Sequence, residues 1–457
     1  MLNAMRKTLI PLTLLLAFRL GAADLVSLPD DPCFAPFKPV AGPQPSGLLL
    51  QPGDRLAICG DSITEQKRYS RIMETYLTVC TPELNLAIRQ FGWSGERAPG
   101  FLARMTNDVL RFRPTIATTC YGMNDHLYRP YTGEIGRVYR ENSLAIIRAF
   151  KTHGVRVVQG AAGAVGKVPG WSRAQGATVT DLNLGLCALR NIDVELARQE
   201  QVGFADVFVP LLVGAQVGRQ RWGADYQLCG QDGVHPGWAG HLVMAYAFLK
   251  ALGLDGDLGT LTVDLASGRA EGTRGHRVVR AREGVVEIES TRYPFCATGP
   301  EDRDSSLRSG MALVPFNQEL NRLVLRVRNP KAARYRVTWG ETNRVYAAKE
   351  LAKGINLAAD FAVNPFSEAF RKVDEAVAAK QAYETRQIKT LFHGPEMRTD
   401  ANATVALTEA TRAPLVAAIH RAFVPVRHTL RIEPVVKLLN SPTLKQHKTY
   451  AASASRG

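Results

Sequence analysis

Beyond its first twenty residues, the 457-residue chain has no apolar run approaching the ~20 residues needed to cross a bilayer. An integral membrane enzyme is therefore not expected. No CxxC pair occurs, which argues against both a zinc ribbon and a thioredoxin-type redox site. Histidines such as His126 and His153 are scattered without ligand spacing, so neither a metal nor another cofactor is expected. Internal repeats and recognised nucleic-acid motifs are missing, and no nucleic-acid partner is expected. Acidic residues are short relative to basic ones, 42 Asp and Glu against 57 Lys and Arg, for a formal net charge of +15. Such a surface concentrates anionic partners. Part of the excess lies near the C-terminus, where Arg421, Arg427, Arg431, Lys437, Lys445, Lys448 and Arg456 face only Glu433. The rest is ordinary globular composition, 46% hydrophobic and 22% charged, which excludes a disordered or collagen-like chain. The length favours two domains.

Arg6 and Lys7 precede an apolar run over 9–18, and Gly21-Ala22-Ala23 supplies small residues after it. This pattern predicts a secretory signal peptide over 1–23, a mature chain beginning near Asp24, and export to the periplasm or exterior. The seven cysteines are odd in number and irregularly spaced, so no disulfide pairing is legible; Cys59 and Cys120 read as buried thiols.

Residues 24–46 are Pro-rich and aperiodic, an extended leader. From 47 to 253, short apolar runs alternate with amphipathic segments. The runs fall at 56–59, 85–88, 115–121, 155–158 and 203–209; helical segments are expected at 69–79, 99–112, 134–153, 180–201 and 236–252. That alternation predicts an α/β fold with a parallel sheet covered on both faces. Short period-two stretches over 254–345, such as 322–328, predict a small antiparallel β module. A helical C-terminal region is expected over 346–440 and a disordered basic tail over 441–457.

Four blocks at the ends of the first domain's strands carry chemistry. Gly60-Asp61-Ser62 follows the first run, and a Ser past a strand's carboxyl end is where open α/β sheets place reactive groups. Trp93-Ser94-Gly95-Glu96 follows the second, a turn able to aim a backbone N–H at a developing oxyanion. Gly122-Met123-Asn124-Asp125 follows the third, where Asn124 is either an oxyanion donor or a turn former. Asp232-Gly233-Val234-His235 precedes the last helix. Its spacing lets the carboxylate fix one imidazole nitrogen and leave the other to take a proton from a hydroxyl.

Together these blocks resemble the SGNH (GDSL-like) hydrolase family over roughly residues 55–252, with Ile63 where Leu is common. The resemblance implies a flavodoxin-like three-layer sandwich. It implies Ser62 as nucleophile, His235 as general base and acid, and Asp232 orienting His235. It also implies an oxyanion hole from the Ser62 and Gly95 N–H groups and the Asn124 amide, with no metal needed. Export, a basic surface and a family rich in carbohydrate deacetylases favour an O-acetylated, anionic polysaccharide or oligosaccharide as substrate. Trp93 and Trp238 are expected to stack on a sugar ring, and Tyr121, His126, Tyr128 and Arg129 to line the cleft. A lipid or aryl esterase is the alternative within catalysis, and a carbohydrate-binding protein on a retired hydrolase scaffold the alternative outside it.

Overall fold

Five nearly all-apolar runs become the parallel strands β1 (Arg55–Gly60), β2 (Ala87–Gly92), β3 (Ile116–Cys120), β4 (Arg156–Gly160) and β5 (Gly203–Ala205). The structure is a computed structural model and describes residues 25–174 and 176–435. The expected signal peptide at 1–23 and basic tail at 441–457 lie outside the described residues. The strands are ordered β2-β1-β3-β4-β5. Their side chains alternate between two apolar layers. Leu56 and Ile58 join Ile72, Met73, Leu242 and Val243 on one face. Ala57 and Cys59 join Phe101, Tyr139, Ile147 and Phe150 on the other. Both faces are thereby covered, so the polar residues the strands carry, such as Gln90, Thr119 and Gln159, are buried. The result is the flavodoxin-like three-layer sandwich.

The covering helices are α1 (Ser62–Glu65), α2 (Tyr69–Cys80), α3 (Ala98–Asp108), α4 (Gly133–Thr152), α5 (Val179–Glu200), α6 (Phe208–Trp222) and α7 (Trp238–Ala251). Thr178 starts α5 with a reciprocal cap, its backbone N–H donating to Asp181 Oδ2 at 2.8 Å and its hydroxyl accepting the Asp181 N–H at 3.1 Å.

Two expected strands are corrected. The run at 85–88 becomes β2, displaced to Ala87–Gly92. Arg89 and Gln90 are buried there because residues distant in sequence supply their partners: Gln387 to Arg89 at 2.9 Å and Thr385 to Gln90 at 2.6 Å. The run at 203–209 ends at Ala205, and Phe208 opens α6. Asp206 Oδ1 accepts the Val209 N–H at 3.1 Å, satisfying a free first-turn donor that a strand would have paired elsewhere.

Residues 25–46 run over the surface, tied by the Asn191 Oδ1 bond from the Val40 N–H (2.9 Å) and by the Asn191 amide to Lys38 O (3.0 Å). All seven cysteines are free thiols, six of them buried. No helix among the described residues is long and apolar enough to cross a membrane.

Past α7, the chain builds two further sheets. One has the order β13-β10-β6-β7, from β6 (Asp257–Asp264), β7 (Arg269–Gly272), β10 (Arg322–Arg328) and β13 (Ile355–Asn356); β6 and β10 run parallel and the other pairs antiparallel. The other is wholly antiparallel, β12-β11-β14-β9-β8, from β8 (His276–Arg282), β9 (Val285–Ser290), β11 (Arg334–Trp339), β12 (Thr342–Ala347) and β14 (Val426–Pro434). Strand β14 lies inside the span expected to be helical. Its His428, Leu430 and Ile432 point inward while Arg427 and Arg431 are exposed, so two residues of the basic stretch are the wet face of a strand.

The helices Ser367–Arg386 and Ala401–Ala422 pack on the sheet edge at β2. They bring charge with them. Buried Lys380 Nζ donates to Ile88 O (2.6 Å), Glu74 (2.8 Å) and Glu384 (2.9 Å), and Arg412 also reaches Glu384 (2.6 Å). Removing one partner of such a group leaves uncompensated buried charge. Lys380→Met is therefore expected to cost about 3–5 kcal/mol in denaturant unfolding; a loss below about 1 kcal/mol contradicts a docking role for this network.

Candidate active site

The strand order reverses direction at β1, so the ends of β2, β1 and β3 lie side by side at the switch point where open α/β sheets form their crevice. Ser62 follows β1 as the first residue of α1. Asp61 caps that turn, its Oδ1 accepting the Ile63 N–H at 3.0 Å. Burial pushes the Asp61 carboxyl up to about 7 despite that bond, with the Asp125 and Glu96 charges adding to the rise.

Gly95 lies in the turn after β2, with φ +74° in the left-handed region. Its backbone N–H has no acceptor among the described residues. The turn is pressed against α1: a Cβ on Gly92 would fall 2.2 Å from the Glu65 backbone nitrogen. Glu96 is buried in a bidentate pair with Arg104, both contacts at 2.6 Å, and accepts the Tyr121 O–H at 2.8 Å.

Asn124 follows β3. Its Nδ2 donates to Glu96 O at 3.0 Å and, at a longer 3.4 Å, to Asp61 Oδ2; its Oδ1 accepts the Tyr128 O–H at 3.2 Å. Asp125 ties the same turn to α3, accepting the Gly122 N–H and the Ala98 N–H, each at 2.9 Å.

The fourth block completes the site from the loop before α7. Ser62 Oγ lies 2.8 Å from His235 Nε2, and His235 Nδ1 lies 2.6 Å from Asp232 Oδ2. Asp232 Oδ1 accepts the backbone N–H groups of Val234 (3.0 Å) and His235 (2.9 Å). Partial burial raises the Asp232 carboxyl, but these hydrogen bonds outweigh it and hold the group down at about 2. An ionised Asp232 only accepts, so His235 Nδ1 carries the proton and Nε2 accepts from the Ser62 hydroxyl. A hydroxyl held this way is primed to lose its proton as its oxygen attacks. Among the described residues, no group of three or more His, Cys, Asp or Glu side chains is placed to hold a metal ion.

Of the expected cleft residues, Trp238 lines a cleft of about 440 Å³ beside His235, with Arg68, Gln66, Gln231 and Asp304. Tyr121 and His126 do not line it. Both are buried, 1% exposed, because Tyr121 supports Glu96 and the His126 ring folds back onto Met123 O. Trp93 is half-buried among Arg104, Lys389 and the edge-on His393 ring and does not line the cleft beside His235.

Sequence reasoning overlooked Trp171. It stands on the loop between β4 and α5, 55% exposed, its Nε1 3.4 Å from Asp232 Oδ2 and its ring edge-on to Tyr128. The only sequence signal is a lone Trp in a Gly-rich loop that holds one proline, Pro169. Glu65 and Lys389 were also overlooked; Lys389 Nζ lies 2.9 Å from both Glu65 carboxylate oxygens.

A flavodoxin-like sheet bearing a hydroxyl–imidazole–carboxylate chain at its switch point is a serine-hydrolase arrangement. Residues 58–243 match the model of the GDSL-like Lipase/Acylhydrolase family, so this stretch of the chain is a hydrolase domain of the esterase type. Among solved structures, the chain is similar to a gut microbial diltiazem-metabolizing enzyme, at 21% identity and a TM-score of 0.68, over 86% of this chain and 99% of that one. Two shorter likenesses each cover 45% of this chain. One is an alpha/beta hydrolase enzyme from the metagenome of Lake Arreo, Spain (21% identity, 98% of that chain, TM-score 0.37). The other is an acetylxylan esterase from Geobacillus stearothermophilus (20% identity, 97% of that chain, TM-score 0.37). No curated protein matches the sequence.

The raised Asp61 carboxyl has a testable sign. Its folded pKa lies above its unfolded one, so the folded state holds the extra proton between 3.8 and about 7 and loses stability as pH rises through that window. Relative to Asp61→Asn, the wild type is expected to lose about 1.4 kcal/mol per pH unit in this window. A difference in unfolding free energy that is constant from pH 5 to 8 contradicts the assignment.

Proposed function

We propose that this protein is an exported serine esterase that removes O-acetyl groups from polysaccharide or oligosaccharide through an acyl-enzyme. The observation that carries the catalytic part is the continuous chain from Ser62 Oγ through His235 to Asp232. In this reading Ser62 Oγ attacks the ester carbonyl carbon and its proton passes to His235 Nε2. The carbonyl oxygen gains charge beside the Ser62 and Gly95 N–H groups and the Asn124 amide. Its displacement of the 3.4 Å Asn124–Asp61 contact frees one amide donor for it. Collapse breaks the ester C–O bond, and the alcohol leaves with the proton from Nε2. Water then repeats the sequence: it gives a proton to His235, adds to the acyl carbon, and Ser62 leaves with that proton.

The substrate class rests on the mouth of the site. The cleft beside His235 combines the polar side chains of Arg68, Gln66, Gln231 and Asp304 with apolar surface from Pro236 and Trp238, a mixture that suits a sugar ring with its hydroxyls. Exposed Trp171 offers a flat apolar face of the kind that stacks on sugar rings. Export rests on the charged start, apolar run and small residues of the amino-terminal segment. A non-catalytic glycan-binding role is disfavoured, since a retired site does not require a complete proton-relay geometry.

Ser62→Ala and His235→Ala are each expected to lower kcat on p-nitrophenyl acetate by roughly 10⁴–10⁶-fold with folding intact. Substantial turnover by folded Ser62→Ala removes the mechanism. Asn124→Ala is expected to lower kcat by roughly 10²–10³-fold with little change in KM; a lowered thermal midpoint with near-native kcat makes Asn124 a turn former instead. Acetate release from a panel of acetylated polysaccharides tests the substrate class, and activity confined to aryl or lipid esters overturns it.

A further inference from the structure

The Ser367–Arg386 helix does not end in an ordinary α-helical turn. It passes into a π-helical turn, Gln387–Leu391, an irregularity often found where a helix serves a functional site. Lys389 sits in that turn, and anchors on both sides fix it. Gln387 is fully buried, accepting from Arg89 at 2.9 Å and donating to Thr408 at 2.9 Å and Glu409 at 2.8 Å. Ile388 is buried in the apolar layer of α3 and α4. Phe392 stacks on Phe112 at 5.7 Å, and His393 meets Asp108 at 3.0 Å and the Trp93 ring edge-on. Held between these contacts, the Lys389 ammonium bonds both carboxylate oxygens of Glu65 at 2.9 Å. Glu65 closes α1, three residues after Ser62, and its Oε2 accepts the backbone N–H of Ser94, the residue before Gly95.

We propose that Lys389 is a positioning residue for ester hydrolysis: through Glu65 it fixes the Trp93–Gly95 turn against α1, so that the Gly95 N–H and the Ser62 hydroxyl keep one register toward the reacting carbonyl. The inference rests on the reading of Ser62 and Gly95 given above and extends it to the C-terminal helices, more than 300 residues away in sequence. Two observations and one electrostatic consequence carry it. The pair is partly buried, with side chains 28% and 22% exposed, so solvent screens it less than a surface ion pair. Without the ammonium, the Glu65 carboxylate has lost its charged partner and is free to turn from Ser94 toward water. The Gly95 turn has no other side-chain bond to its Ser94 or Gly95 N–H among the described residues.

The test compares Lys389→Met, Lys389→Arg and Glu65→Gln with the wild type, using Ser62→Ala as reference. Two readouts are taken. One is kcat and KM on p-nitrophenyl acetate. The other, independent of substrate choice, is the rate of phosphonylation by an alkyl phosphonofluoridate, read by mass spectrometry of the Ser62 peptide. In that reaction the Ser62 Oγ–P bond forms, the P–F bond breaks, fluoride leaves and the hydroxyl proton goes to His235, while the phosphoryl oxygen takes the oxyanion position. Displacing a reacting geometry by about 1 Å costs on the order of 10²-fold. Lys389→Met and Glu65→Gln are accordingly expected to slow both kcat and phosphonylation roughly 10- to 100-fold, with KM within about twofold and thermal midpoints near wild type. Lys389→Arg, which keeps the charge and donors, is expected to recover most of the rate. Rates within about twofold of wild type in folded Lys389→Met overturn the inference, as does an effect confined to KM, which makes Lys389 a substrate-binding group. Should Lys389→Met not fold, Glu65→Gln decides on the same criteria. A wild type that is not phosphonylated at Ser62 instead overturns the esterase reading beneath it.

Discussion

Everything at the site depends on β1 lying between β2 and β3. Parallel strands spaced about 4.8 Å apart deliver their carboxyl ends to one edge. Three turns from distant parts of the sequence, at Ser62, Gly95 and Asn124, therefore lie side by side on that edge. The lack of a side chain at Gly60, whose space Thr64 fills, the bare Cα of Gly92 against the Glu65 backbone, and the Asp125 bonds to Gly122 and Ala98 convert that proximity into a fixed geometry. Asp232 and His235 need no strand. Gly233 has φ +85°, and the loop folds so tightly that one carboxylate serves two backbone N–H groups and the imidazole at once.

The edge of the sheet at β2 poses a second constraint. An exposed edge strand offers unpaired backbone groups, and proteins commonly cover or charge it. Here the two C-terminal helices cover it, and the cover is ionic as well as apolar: Lys380 and Arg412 both donate to the carbonyl of Ile88 at the start of β2. The same helical hairpin then continues to the rim of the site through Lys389 and His393. The apolar layer of α2 and α7 also runs without a break into the accessory sheets, from Ile72 and Met73 through Phe295 and Phe316 to Trp339. Catalytic domain, sheets and helices thus share one interior.

Much of this was legible in the sequence. The alternation of apolar runs and amphipathic segments pointed to the parallel sheet because a strand buried on both faces is mostly apolar, with polar side chains such as Thr119 and Gln159 paired. The four blocks were legible because each sits directly after a run or before a helix, and Ser62, His235 and Asp232 meet as that placement implies. The misses have a common cause. Arg89 and Gln90 look like the end of a strand until the C-terminal helices, some 300 residues later, supply their partners. Lys389 looks like any helix-surface lysine until the chain folds it against Glu65. Tyr121 and His126 follow a strand end, as cleft residues do, but β3 is central and its neighbours bury them. The strand Val426–Pro434 is a different kind of miss: its period-two pattern was present, and the surrounding basic residues masked it.

The central claim is that Ser62 carries the acyl group. Rapid acid quenching during a single turnover of an acetyl ester, followed by mass spectrometry of the peptides, tests it most directly. A transient acetyl group on the Ser62 peptide, rising and decaying with turnover, is expected. An acetyl group carried by any other residue, or turnover during which the Ser62 peptide stays unmodified at every time sampled, contradicts it.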